Sequence, residues 1–145
     1  MIRQSKECDH GHLYDIWFQA VIATHDFLSE DDLKSICKMV KEDYIPNVTF
    51  QVFTDTDDTP LAFMGMTEAN IDSLFVDPNH FGKAIGTQLL NKAKADFDVL
   101  TLDVNEQNPG AAAFYSKSGF IQTGRSETDD QGKPYPLLHL RWAKA

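Results

Sequence analysis

Two glycines, Gly82 and Gly86, lie in a short loop between an apolar stretch and a helical pattern. Residues 71–76 are mostly apolar and predict a strand, and the spacing of Ile85, Leu89 and later apolar residues predicts a helix. Backbone N–H groups at a helix start have no partner within the helix and lie at the positive end of its dipole. The pattern is therefore typical of a site for a phosphate or pyrophosphate group.

A second group that could do chemistry is Tyr115, in a short predicted helix that begins at Pro109 and ends before Gly119. A tyrosine hydroxyl titrates near pH 10, so it is protonated at neutral pH and can donate a proton. Asn108 stands where a helix cap is favoured, and a ligand contact is compatible with capping. Tyrosine beside phenylalanine in such a helix is also common in a protein core, so both interpretations of Tyr115 stay open.

Composition and charge limit the kinds of partner. The chain has 145 residues, 42% of them hydrophobic, which predicts a single domain over residues 1–145. Its net charge is −9, and the first 60 residues hold 12 acids and 5 bases. Nucleic acid is not expected as a partner, because phosphate groups need a basic surface. The acidic first half either favours a cationic ligand or forms a solvated face.

Location and metal content are also constrained by the sequence. No apolar stretch approaches the roughly 20 residues that span a bilayer, so no membrane partner is expected. The first residues lack the apolar core of a signal peptide, which predicts a cytoplasmic protein. Cys8 and Cys37 do not have metal-ligand spacing, and His10 with His12 alone does not form a metal site. We therefore predict no metal.

Turn signals and hydrophobic periodicity predict the order β-α-α-β-β-β-α-β-α-β-β, a mixed α/β sheet with helices on its faces. The strands are predicted at 2–8, 48–54, 61–67, 71–76, 99–104, 120–127 and 135–142. The helices are predicted at about 11–24, from Ser29 to the stop at Pro46, after Ile85 to 97, and at 109–118.

Two stretches together resemble the GNAT superfamily of acyl-CoA N-acyltransferases, and the likeness covers nearly the whole chain. The first is Leu74-Phe75-Val76-Asp77-Pro78 with the glycine loop and helix behind it. The second matches the family pattern N-x-x-A-x-x-F/L-Y-x-x-x-G-F from Asn108 to Phe120. Residues 23–28 also resemble a bacterial subgroup of uncharacterised members. The resemblance implies a single-domain α/β (α+β) fold with a mixed, mostly antiparallel central sheet and helices on both faces.

The resemblance implies an N-acetyltransferase that moves an acetyl group from acetyl-CoA to a primary amine by direct attack. The acceptor could be a polyamine, an amino acid, an antibiotic, a protein N-terminus or a lysine. A strand N–H near Phe75 or Val76 would polarise the thioester carbonyl, and Tyr115 would be the general acid for the CoA thiolate. Relatives often form homodimers through their C-terminal strands. The implied cofactor-binding residues are Leu74, Phe75, Val76, Phe81, Gly82, Lys83, Ala84, Ile85, Gly86, Thr87, Asn108 and Tyr115.

The chain departs from the family pattern in two places. The phosphate loop usually reads Q/R-x-x-G-x-G/A, and here Phe81 and Ala84 replace the polar residue and the first glycine. If residue 84 needs a positive φ, alanine costs roughly 1 kcal/mol or more.

The second departure concerns the general base. Many relatives carry a glutamate where this chain has Asn70, and an amide cannot take the proton of an amine. Asp72 projects to the same strand face and is one candidate base. Glu68 in the turn and His25 after the first helix are the others. These departures keep two alternatives open: a non-catalytic acyl-CoA-binding or regulatory module, and a scaffold without cofactor.

Overall fold

The computed structural model describes all residues from 1 to 145 and confirms the predicted order of elements. The helices are α1 (His10–Thr24), α2 (Glu30–Met39), α3 (Ile85–Asp96) and α4 (Pro109–Lys117). The strands are β1 (Ile2–Gln4), β2 (Gln51–Thr54), β3 (Pro60–Thr67), β4 (Asn70–Val76), β5 (Val99–Asn105), β6 (Ile121–Ser126) and β7 (Leu137–Ala143).

The seven strands form one sheet in the order β1-β2-β3-β4-β5-β7-β6. Neighbours β1 and β2, β2 and β3, β5 and β7, and β6 and β7 run antiparallel, whereas β4 and β5 run parallel. The predicted mixed, mostly antiparallel sheet is therefore confirmed. The chain divides into two compact units, one of Met1–Gly65 with Ser73–Leu89 and one of Met66–Asp72 with Leu90–Ala145. The expectation of a single domain stays a prediction. No helix in the structure is long and apolar enough to cross a membrane.

The predicted boundaries are wrong at a few places for local reasons. β1 ends at Gln4 rather than at residue 8, because a 3₁₀ turn over Glu7–Asp9 follows it. α2 ends at Met39, and the chain continues as a π-helical segment, Val40–Tyr44, before the predicted stop at Pro46. β7 begins two residues later than predicted, directly after Pro136, which has no N–H to donate to a strand ladder.

The core of the first unit lies against the inner face of α1. The apolar residues that recur along α1 at helical spacing are all buried: Leu13, Ile16, Trp17, Ala20 and Val21. Phe50, directly before β2, and the strand residues Val52 and Phe63 complete this apolar cluster with Val40 and Ile45. Residues 60–65 of β3 are buried consecutively, so both faces of this strand are covered.

The core of the second unit depends on alternation along β5. Leu100, Leu102 and Val104 are buried, while Thr101 and Asp103 between them are exposed. Successive side chains of a strand point to opposite faces, so one face of β5 is core and the other is open and polar.

An ion pair in the first unit fixes the turn after β1. Arg3 donates from Nη1 and Nη2 to the two oxygens of Asp9, over 2.7 and 3.1 Å, and the Lys6 N–H donates to the same carboxylate over 2.7 Å. Asp9 is only 4% exposed. The hydrogen bonds from Arg3 lower the pKa of the Asp9 carboxyl below its usual range. This pair therefore contributes stability that depends on pH.

We expect Asp9→Asn to lower the free energy of unfolding at pH 7 by about 2 kcal/mol, since a charged hydrogen-bond acceptor is lost from a buried site. The folded-state pKa of Asp9 lies below the unfolded one, so its stabilisation is present above pH ~4 and is lost as the pH falls through the folded value. Urea unfolding at pH 7 and at low pH measures this, and the difference between variant and parent should shrink in acid.

The matched control is Asp58→Asn. Asp58 also accepts from Arg3, over 2.8 Å, but its side chain is 58% exposed, so the loss should stay below about 1 kcal/mol. Equal losses for the two variants would show that the burial of Asp9 does not matter.

Candidate active site

The parallel ladder between β4 and β5 is short. Asn70 pairs with Thr101 and Ile71 with Leu102, and the Thr101 N–H donates to the Ala69 carbonyl over 3.1 Å. In this parallel pattern Ile71 turns its own backbone groups towards β5. The remaining residues of β4 continue past the ladder, so their backbone groups on that edge are not engaged by β5.

At the C-terminal end of β4, the backbone N–H groups of odd-numbered residues face β3 instead of β5. The Asp77 N–H donates to the Leu61 carbonyl at the start of β3, over 2.8 Å. Because N–H groups alternate between the two edges of a strand, the Phe75 N–H also faces β3, and those of Leu74 and Val76 lie on the other edge. Odd-numbered residues thus face β5 near residue 71 and β3 near residue 77. This reversal requires one extra residue, a β-bulge, within β4.

Ser73 lies within the stretch of β4 between Ile71 and Asp77 where this bulge falls. Its hydroxyl oxygen is buried, accepts the Gly65 N–H over 3.2 Å, and lies 2.7 Å from the hydroxyl of Tyr44. A side-chain oxygen of β4 thus pairs a buried backbone N–H group of β3. A β-carbon at Gly65 would lie 2.7 Å from both hydroxyl oxygens. Sequence reasoning missed Ser73 and Gly65, although a glycine inside a strand pattern is a signal for such a close approach.

The glycine loop, the candidate phosphate site, follows directly on β4. Gly82 and Ala84 both have positive φ, +82° and +60°, so the condition placed on residue 84 is met and alanine is strained there. The first bond of α3 runs from the Gln88 N–H to the Ala84 carbonyl over 3.1 Å. The N–H groups of Ile85, Gly86 and Thr87 therefore have no acceptor in the helix, and Ala84 has no polar side chain to cap them. They are available to an anion.

The side chains of the loop are exposed. Phe81 is 49% exposed and offers an aromatic surface where the family pattern has a polar residue. Lys83 is also exposed, and its Nζ lies 3.1 Å from Nδ1 of His80. Lys83 thus adds a positive charge two positions before the first of the unpaired N–H groups in the sequence, which is suitable for a phosphate.

In the second unit, Asn108 is the N-cap of α4. Its Oδ1 accepts the Ala111 N–H over 3.2 Å, and Pro109 occupies the first helical turn, so the interpretation as a helix cap is confirmed. The side-chain NH₂ group of Asn108 makes no hydrogen bond within the protein, and it is the part that a ligand could use.

Tyr115 is buried in the same unit, between the rings of Phe114 and Phe120 at centroid distances of 5.1 and 5.6 Å. Burial raises the pKa of Tyr115 well above its usual value near 10. Its hydroxyl has no hydrogen-bond partner in the protein. Every fully buried side-chain polar atom of the protein has such a partner, so the Tyr115 oxygen is not fully buried and keeps some contact with solvent. Tyr115 thus holds a proton at neutral pH and has its donor capacity unused.

Two of the candidate bases lie in or beside the hairpin turn between β3 and β4. Asp72 is exposed, and its oxygens accept from Thr67 Oγ1 over 2.5 Å and from Asn70 Nδ2 over 2.7 Å. Asn70 and Asp72 therefore share a face, as the strand period predicts. Glu68 is exposed at the turn with a φ of +52°. Their roles as bases stay predictions.

The third candidate, His25, is in the first unit, directly after α1. Its Nδ1 lies 2.7 Å from Thr24 Oγ1, and its ring packs against Phe27 at 5.2 Å. Burial lowers the pKa of His25, so the ring is neutral at pH 7. A neutral imidazole can accept a proton, and the role of His25 stays a prediction.

The comparisons with known proteins agree with this geometry. A family model described as an acetyltransferase (GNAT) domain matches residues 47–122. The chain belongs to the GNAT acetyltransferase family. It is 44% identical over 139 residues to the peptidyl-lysine N-acetyltransferase YjaB of Salmonella typhimurium strain LT2, covering 96% of this chain and 95% of that protein. It is 41% identical over 144 residues to the YjaB of Escherichia coli strain K12, covering 99% and 97%.

A solved structure gives the same result for the fold. The solution structure of apo-form YjaB from Escherichia coli superposes with a TM-score of 0.94 and covers 100% of this chain and 98% of that one. This GNAT protein is therefore an acetyltransferase enzyme. The names of its relatives do not support the alternatives of a non-catalytic binding module or a scaffold without cofactor.

The bulge in this acetyltransferase should be sensitive to the size of residue 65. We expect Gly65→Ala to lower the free energy of unfolding by roughly 2–3 kcal/mol, because the added methyl group displaces the two hydroxyls that meet there. Thermal unfolding measures the loss. Gly11→Ala is the matched control: a β-carbon at Gly11 would meet nothing within 4 Å, and the substitution should not destabilise. A Gly65→Ala protein as stable as its parent would contradict the close approach.

The strain at Ala84 predicts the opposite sign for a glycine substitution. Ala84→Gly removes the strain of an alanine in the left-handed conformation, which costs ~1–2 kcal/mol, but it also increases the entropy of the unfolded chain. We therefore expect the free energy of unfolding to rise by roughly 0.5–1 kcal/mol. Ala95→Gly, at an exposed site within α3, should instead lose about 1 kcal/mol. Chemical denaturation of both variants tests this, and losses of equal size would show that Ala84 is not strained.

Proposed function

We propose that this enzyme transfers an acetyl group from acetyl-CoA to the side-chain amine of lysine in a peptide or protein, by direct attack of the amine. The observation that carries the proposal is the continuous segment from β4 to α3, with unengaged N–H groups at the end of β4 and uncapped N–H groups at the start of the helix. The names of the YjaB relatives support a peptide lysine as the acceptor.

The loop residues fit the diphosphate of a CoA ester. Positive φ at Gly82 and Ala84 sets the course of the loop, the N–H groups of Ile85 to Thr87 face outward from the helix start, and Lys83 adds a positive charge. This recognition uses the backbone, so the side chain of Phe81 is not required for it. In this proposal Leu74, Phe75, Val76 and Asn108 contact the pantetheine arm.

Between the two predicted oxyanion donors, the strand geometry favours Val76. The Phe75 N–H faces β3, in phase with the Asp77 N–H that bonds Leu61, whereas the Val76 N–H lies on the edge not engaged by β5. A fixed N–H aimed at the thioester oxygen stabilises the negative charge that develops there during attack. Acetyl-CoA itself supplies the activated acyl group.

The remaining chemistry concerns two protons. A lysine amine has a pKa near 10.4, so it must lose a proton to a base before it can attack. Tyr115 is the proposed general acid for the leaving sulfur: burial keeps it protonated throughout the neutral range, and its hydroxyl has no competing partner. A cationic acceptor, a cytoplasmic location and a homodimer stay predictions.

Removal of the Tyr115 hydroxyl tests the chemical step. We expect Tyr115→Phe to lower kcat by about 10²-fold with a lysine peptide, since a general acid contributes this much or more. The Kd for acetyl-CoA should not change, because the hydroxyl acts only as the C–S bond breaks. Thiol release measures kcat, and a thermal-shift titration with acetyl-CoA measures Kd.

Tyr14→Phe is the control, since Tyr14 is a partly buried tyrosine of the α1 core with no role in the proposal. An unchanged kcat for Tyr115→Phe, with chemistry rate-limiting, would reject the general acid. A parent enzyme with no shift in Tm at millimolar acetyl-CoA would reject the cofactor.

A further inference from the structure

Three polar side chains on neighbouring strands of the second unit form a linear hydrogen-bonded group. Nδ1 of His139 on β7 lies 2.6 Å from Oδ1 of Asp103 on β5, and Nε2 of His139 lies 2.7 Å from Oγ of Ser126 on β6. Gly124 stands opposite His139, and a β-carbon there would lie 3.3 Å from the imidazole ring. The absence of a side chain at Gly124 thus leaves room for the ring.

The position of this group in the sheet connects it with the site already described. Asp103 is the first residue of β5 beyond the parallel ladder, which ends at Leu102. It pairs with His139 across β5 and β7, and it shares its strand face with Thr101. Thr101 Oγ1 in turn donates to Asn70 Oδ1 over 2.8 Å. His139, Asp103 and Asn70 therefore lie on one face, the face on which many relatives carry a glutamate base.

The hydrogen bonds allow the His139 ring to change its protonation state without losing a partner. A carboxylate only accepts, so Nδ1 carries a hydrogen and Nε2 of the neutral ring accepts from the Ser126 hydroxyl. When Nε2 takes a proton, the same hydroxyl accepts from it instead. The side chains of His139 and Asp103 are 36% and 44% exposed, so an acceptor can approach from solvent.

We propose that His139, oriented by Asp103, is the general base that takes the proton of the acceptor amine, in place of the glutamate that Asn70 replaces. The inference rests on the proposed lysine acetyltransferase activity and names the base for it. Asp103 is a positioning residue, because it fixes the tautomer and stabilises the protonated ring. Ser126 either passes the proton from the amine to Nε2, or its hydroxyl moves away from Nε2 when the amine binds.

The protons and electrons of the reaction balance. The ammonium group of lysine gives one proton to Nε2 of His139, and its lone pair forms the N–C bond to the acyl carbon. The C–S bond breaks with its electron pair on sulfur. The nitrogen loses a second proton to solvent as the amide forms. Tyr115 gives its proton to the sulfur and regains one from solvent. The products are the amide, the thiol and one proton, which His139 releases to solvent.

Few charged groups are close to the His139 ring. Asp103 faces it from β5, and Arg141 stands two residues along β7 on the same face, opposite Thr101. On β6 the nearest charge is Arg125, which pairs in register with Leu138 and is bonded to Glu106. Asp103 is thus the only one of these groups that contacts the ring.

The experiment measures kcat/KM for a lysine peptide between pH 7 and 9.5 in the parent enzyme, His139→Ala and Asp103→Asn. We expect His139→Ala to lose about 10²-fold at pH 7, in the range of general-base catalysis. The deficit should shrink as the pH rises towards the pKa of the lysine amine, because the amine then loses its proton to water. Asp103→Asn should show a smaller loss with the same trend. The Kd for acetyl-CoA should not change in either variant.

The controls separate this inference from the proposed function. His10→Ala, a histidine at the start of α1, should match the parent at every pH. His139→Gln keeps an amide of similar size that cannot take a proton, and it replaces the alanine variant if that protein fails to fold. If kcat/KM in the His139 variants matches the parent, or falls by the same factor at every pH, the assignment of His139 as the general base is wrong. The acetyltransferase proposal is then unaffected. A parent enzyme without amine-dependent thiol release would overturn both.

Discussion

The hydrogen bond from the Gly65 N–H to the buried Ser73 hydroxyl is the interaction on which the candidate site depends. In a strand without a bulge, the register set at Ile71 would turn the N–H groups of Leu74 and Val76 towards β3, where a ladder would bond them. The extra residue reverses this and turns them to the edge of β4 that lies away from β3. Within the stretch of β4 that contains the extra residue, the Ser73 oxygen pairs the Gly65 N–H inside the protein. Gly65 in turn leaves space for that oxygen and for Tyr44.

The sequence predicts the order of elements and the inner face of α1 because these follow from local periodicity. Boundaries are wrong where a side chain competes with the backbone pattern. Asp9 ends β1 by accepting the Lys6 N–H and binding Arg3, a partner that only the folded chain brings close. Pro136 delays β7 because it cannot donate, a reason that was readable in the sequence. The π-helical turn after α2 had no signal in the residue pattern.

The same distinction applies to the site. The glycine loop and the α4 motif are each continuous in sequence, so residue types and spacing single out both as candidates. The Ser126, His139 and Asp103 group joins three strands, and the bonded partners are 13 and 36 positions apart in the sequence. Its geometry depends on strand register, and a shift of one residue would move each side chain to the other face. No single-sequence pattern fixes that register, and the group was not predicted.

The departures from the family pattern have a common physical explanation. Ala84 keeps a conformation that alanine disfavours, which indicates that the loop geometry outweighs the local cost, as is common at ligand sites. Asn70 cannot accept a proton, yet its amide donates to Asp72 and accepts from Thr101, so the polar face stays connected from β4 to β5. The lost carboxylate is thus replaced by a hydrogen-bonded amide at one strand, and an imidazole held by a carboxylate stands two strands away on the same face. The proposed reaction needs one base and one fixed backbone donor. It therefore requires a base on the polar face of the sheet and an N–H group on the free edge of β4, but it does not require a particular residue type at either place.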